Sequence, residues 1–163
     1  MPFRPPGRPP ADYQAALKNP AALGLPAGAK GNVEGYLFPA TYEFGSNITA
    51  AEQLHTMVAK SLEELGRIGV TSDRMQRVLT IASIVEAEAS ASADRPKVAR
   101  VIENRLAKPM RLQLDTTVSF ISHHRGKVGT TDAESASKSP YNTYLVDGLP
   151  QAPSDRPGLS AMQ

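Results

Sequence analysis

Two carboxylates stand in an otherwise apolar run, Ser83-Ile84-Val85-Glu86-Ala87-Glu88. A carboxylate withdrawn from water has its charged form disfavoured, which is the property a general acid needs. The same side chains could instead be solvated, or paired with Arg77, Arg95 or Lys97, as acids on helices usually are. Residues two apart on a helix project about 200° apart, so Glu86 and Glu88 cannot face one substrate as an acid and nucleophile pair. At most one is catalytic, and periodicity leaves open which. Glu86 projects beside Leu79 and Ala82, Glu88 beside Ile81 and Ile84. The other acid is then available to anchor a neighbouring helix through an arginine. Arg105, following Asn104, is a candidate for that anchor or for holding ligand carboxylates and amides.

Further polar groups are arranged for recognition. Gln113 and Asp115 alternate with leucines, which puts both on one face if Leu112–Thr117 is extended; such a pair can hydrogen-bond hydroxyls or amides. Alternatively they form the wet face of an edge strand. Tyr141, Asn142 and Tyr144, between Pro140 and Asp147-Gly148-Leu149-Pro150, read as a rigid loop presenting aromatic rings and hydroxyls, or as cover for a core edge. Adjacent His123 and His124, and His55 alone on another segment, lack metal-ligand spacing. The sequence contains no glycine-rich phosphate loop, no Gly-x-Ser-x-Gly and no zinc signature, so neither metal nor cofactor is expected.

The elements that must position these residues follow from periodicity and breakers. Residues 1–10 are too proline-rich for a helix or central strand and read as a flexible leader, leaving one domain over 11–163. A short helix is predicted at Ala11–Leu17, then a second helical turn after Asn19-Pro20. Val33–Pro39, extended by Thr41–Phe44, reads as a short buried strand or turn. Thr49 with Glu52 forms a capping box opening a helix to about Leu65. The next helix is predicted from Thr71-Ser72-Asp73 to about Ser90, apolar around most of its circumference and hence buried. Pro96 suits the first turn of a fourth helix that ends before Pro109 and turns Val98, Val101, Ile102 and Leu106 inward. Leu112–Ile121 reads as a short strand or irregular segment, Gly126–Ser139 as polar loop, and the proline-rich last 25 residues as turns.

Composition removes other classes of function. The 18 basic and 16 acidic residues are spread along the chain without dense basic runs, so nucleic acid is a poor partner. With no cysteine there is neither a disulfide framework nor a thiol nucleophile. No apolar run approaches the roughly 18 residues of a membrane span, so the chain as given reads as soluble.

Asn32–Tyr42, Ala82–Glu88, Val98–Leu106, Met110–Asp115 and Ser139–Pro150 together resemble, in order, the MltG/YceG-like endolytic transglycosylases. The resemblance covers about Ala11 to the C-terminus. It implies an α+β, predominantly α-helical domain with a central buried helix carrying the catalytic glutamate, and short strands and loops lining a groove. It further implies cleavage of the MurNAc–GlcNAc β-1,4 bond of nascent peptidoglycan strands, leaving 1,6-anhydro-MurNAc ends. One glutamate acts as acid and then as base. In related enzymes that glutamate is followed by a small residue, which Glu88-Ala89 fits, so the resemblance points to Glu88 with Glu86 as supporting acid. Asn104, Arg105, Gln113, Asp115, Tyr141, Asn142 and Tyr144 then flank the glycan. The implied setting is the extracytoplasmic face of the cytoplasmic membrane, reached through an N-terminal anchor missing here, with penicillin-binding and other wall-synthesis proteins as partners.

The chain departs from the pattern in three places. It has Gln113-Leu114-Asp115-Thr116-Thr117 where the family has Gln-Thr-Asp-Pro-Thr, and Pro150-Gln151-Ala152-Pro153 where the family has Pro-Pro-Gly-Pro. It also lacks the family's membrane span, LysM-like domain and strand-rich tail, and so looks like an excised, C-terminally truncated core. The rival readings are a non-catalytic glycan-binding scaffold and a hydrolytic muramidase using Asp115 as second carboxylate.

Overall fold

The computed structural model describes residues 8–122 and 131–163. His123, His124 and the first part of the expected 126–139 loop lie outside them. Helix α1 (Pro10–Leu17) starts on a proline, whose fixed φ and missing N–H suit the first helical turn. A 3-10 turn at Pro20–Leu23 follows and ends on Gly24 in the left-handed region. Helix α2 (Ala50–Arg67) opens with the expected capping box: the Thr49 hydroxyl accepts the Glu52 N–H, and the Glu52 carboxylate accepts the Thr49 N–H. Buried Tyr13 donates its hydroxyl to Gln53, tying α1 to α2.

Helix α3 (Met75–Glu88) joins two apolar clusters. Leu79 and Ala82 pack with Tyr36–Phe38, Leu54, Val58 and Leu65, while Ile84 and Val85 pack with Ile102 and Leu112. Fully burying a side chain such as Leu79 or Ile84 contributes about 1.5–3 kcal/mol, so α3 is secured on both sides. Helix α4 (Arg95–Leu106) has Pro96 in its first turn and stops before Pro109 as expected. Val98, Ile102 and Leu106 face the core, but Val101 is 47% exposed, because it lies one flank away from the i, i+4, i+8 stripe of the other three.

Three expectations are corrected. Among the described residues there is no strand, so the architecture is helices and loops rather than α+β. In the 33–38 segment Gly35 sits at φ 84° with Pro153 against it: a Cβ there would lie 2.4 Å from the proline Cβ. The chain therefore turns, with Tyr36 N–H on the Val33 carbonyl, and buries Tyr36, Leu37 and Phe38 consecutively where a strand would alternate. Further on, Tyr42 and Phe44 stack as neighbours two apart, at 5.6 Å, with no partner strand among the described residues. Second, Asp115–Ile121 is helix α5, not a strand: Gln113 at φ 51° breaks the extended path, and Asp115 opens the helix. Third, the expected polar loop contains helix α6 (Asp132–Ser135), opened by a Thr131–Glu134 capping box, and the tail contains helix α7 (Leu159–Met162). No helix of the described residues is long and apolar enough to cross a membrane.

Candidate functional site

Glu86 and Glu88 leave α3 in different directions, as the helical angle requires, and meet different neighbours. The Glu86 carboxylate accepts from Arg95 Nη2 at 2.5 Å and from the Gly158 N–H at 3.2 Å. The anchor for this acid is thus Arg95, at the start of α4. Arg105 is spent elsewhere, donating from Nη1 to the Leu112 carbonyl and closing the connection from α4 to α5. Arg77 pairs with Glu103 at 3.0 Å, and Lys97 with Asp94 at 3.0 Å.

Glu88 is the last residue of α3, half-buried, and its Oε1 accepts from the Thr116 hydroxyl at 2.7 Å. Next to Thr116, at the first position of α5, the Asp115 carboxylate accepts the Tyr144 hydroxyl at 2.5 Å. That hydrogen bond holds the Tyr144 phenol above its ordinary range; burial and the negative charges of Asp115 and Glu88 add to the effect, and Arg105 opposes it. Glu88, Asp115, Tyr144 and Arg105 therefore form one electrostatic neighbourhood, assembled from α3, α4, α5 and the 140–144 loop.

The loop and α5 are joined by buried threonines. The Leu114 N–H donates to Thr143 Oγ1 at 2.9 Å, and Thr117 and Thr143 share a hydroxyl contact of 2.9 Å. Asn142 is fully buried, with its amide donating to the Ser135 and Ser137 carbonyls at 2.8 Å each and its Oδ1 accepting the Tyr144 N–H. Its polar atoms are committed to shaping the loop. Tyr141 tilts against Phe120 with ring centres 4.9 Å apart, and its hydroxyl accepts from Asn32 at 3.4 Å. Asn104 and Gln113 are exposed, and Gln113 enters the arrangement through its backbone N–H, which donates to the Thr143 carbonyl. The site residue that sequence reasoning passed over is Thr116. Its only signal was the acid-then-hydroxyl start of a helix at Asp115-Thr116-Thr117.

The YceG-like family model matches residues 6–163. An endolytic murein transglycosylase of Bacillus subtilis is 39% identical over 80% of this chain and 38% of its own length. One of Streptococcus pneumoniae is 34% identical over 92% of this chain and 29% of its own length. A crystal structure of a yceG-like protein from Listeria monocytogenes aligns with TM-score 0.72 and 33% identity, over 93% of this chain and 56% of that one. The chain thus spans about a third of the length of these curated relatives.

Proposed function

The chain belongs to the YceG-like family, and on that premise we propose that residues 11–163 form the catalytic domain of an endolytic peptidoglycan lytic transglycosylase. Glu88 protonates the oxygen of the MurNAc–GlcNAc β-1,4 bond, then takes the proton of the MurNAc 6-hydroxyl as that oxygen closes on C1. The products carry a 1,6-anhydro end and no water is consumed. Asp115, Tyr144 and Arg105 line the approach to the sugar, with Asn104, Gln113 and Tyr141 as more peripheral contacts and Asn142 shaping the loop. The reaction takes place in the wall, outside the cytoplasmic membrane.

One observation carries the reading: of the two acids on α3, Glu86 is held by a guanidinium and a backbone N–H, while Glu88 is half-buried and, among the described residues, has a single hydroxyl as hydrogen-bond partner. The names of the curated relatives supply the substrate class. The test is digestion of purified glycan strands by the parent and by Glu88→Gln, with mass analysis of the new termini. Anhydro ends from the parent alone are expected. Equal release by both proteins removes Glu88 from the mechanism, and termini heavier by one water indicate a hydrolase.

A further inference from the structure

We propose that Thr116 is a positioning residue for Glu88: its hydroxyl occupies Oε1, leaving Oε2 as the oxygen that exchanges the proton with the sugar. The inference deepens the proposed function and rests on it. Glu88 ends α3, and Ala89 continues in extended backbone (φ −90°, ψ 107°), so no following turn of the helix restrains the side chain. A glutamate carboxyl swings about three torsions, whereas proton transfer needs it fixed to within a fraction of an ångström. The restraint must come from another element, and the Thr116 hydroxyl at 2.7 Å supplies it.

Thr116 itself stands on a firm base. The residues flanking it are fixed by the Leu114 N–H to Thr143 bond and by Thr117, whose hydroxyl donates to the Leu114 carbonyl at 2.7 Å and meets Thr143. Thr117 and Thr143 are fully buried. Through the cycle Thr116 donates to Oε1 and neither gains nor loses a proton. Oε2 releases its proton as the C1–O bond breaks and recovers one from the 6-hydroxyl.

The test compares parent, Thr116→Val, Thr116→Ser and Glu88→Gln on purified glycan strands, with kcat and KM determined separately from anhydro-end release and a melting curve for each protein. Thr116→Val is expected to keep KM and lose about tenfold in kcat, and Thr116→Ser to recover most of the loss, since it restores the donor but not the packing. Thr116→Ala takes the place of the valine variant if that one melts early. Parent-like kcat in the valine or alanine variant, a serine variant as slow as valine, or a change confined to KM overturns the positioning role. If the parent releases no anhydro ends, or Glu88→Gln releases as many, the proposed function itself falls and the positioning role with it.

Discussion

Glu86 and Glu88 sit on one helix, two residues apart, and their surroundings have opposite characters. At Glu86 both carboxylate oxygens are engaged, one by Arg95 from α4 and the other by the backbone entering α7, so the acid ties three elements together. At Glu88 the helix has ended, and one oxygen meets a threonine hydroxyl from α5. Residue type and local apolar context are shared, so neither decides the role. What distinguishes them is which distant cation folds back onto which face. An acid with an ion pair and a backbone donor is held still with both oxygens occupied; an acid with one neutral donor retains an oxygen for proton exchange.

The sharpest way to break this comparison is to neutralise each acid in turn. Glu88→Gln is expected to lower strand cleavage by about 10²- to 10⁴-fold, the range for losing a general acid-base, while Glu86→Gln retains activity within about tenfold at temperatures where it is folded. A folded but inactive Glu86→Gln beside an active Glu88→Gln inverts the assignment. Stability should run the other way. The Arg95 and Glu86 side chains are 17% and 26% exposed, between the surface pairs worth under about 1 kcal/mol and the buried pairs that cost about 3–5 kcal/mol to break. Denaturant unfolding of Glu86→Gln should therefore show a loss of about 2 kcal/mol, against less than about 1 kcal/mol for Glu88→Gln. Equal losses would mean that the ion pair is not what fixes Glu86.

Much of the frame was legible because it is local. Thr49 and Glu52 announce α2 within four residues, and the apolar positions of α3 recur at helical spacing. Other local signals were present and outweighed: Thr131 and Glu134 form a capping box inside a stretch that reads as loop, and Asp115 marks a helix start inside what reads as alternation. Over residues 33–39, where the sequence allows a strand or a turn, the turn prevails for a non-local reason. Its residues favour pleated surfaces, yet Pro153, far along the chain, packs on Gly35 where the backbone turns. The site divides in the same way. Helical geometry alone separates the two carboxylates, but the assignment of Arg95 to Glu86 and of Thr116 to Glu88 depends on how α4 and α5 return to α3, which no spacing within α3 encodes.

The smallest expected effect gives the finest version of the comparison. Tyr144 is held above its ordinary value near 10 first by its hydrogen bond to Asp115, with the charge of Glu88 among the lesser causes and Glu86 not among the causes at all. A phenol raised in the folded state binds its proton more tightly there than in the unfolded chain. Its contribution to stability is therefore complete below about pH 10 and fades as the pH rises through the raised value. In ring-carbon NMR titrations, with the Tyr144 signal assigned through Tyr144→Phe, Asp115→Asn should bring the midpoint down most and Glu88→Gln slightly. Glu86→Gln should leave it where it is, because that carboxylate lies on the other side of α3 with Arg95. A midpoint that responds equally to both glutamate substitutions would mean that Tyr144 senses the whole helix end, and the separation of the two acids would not hold electrostatically.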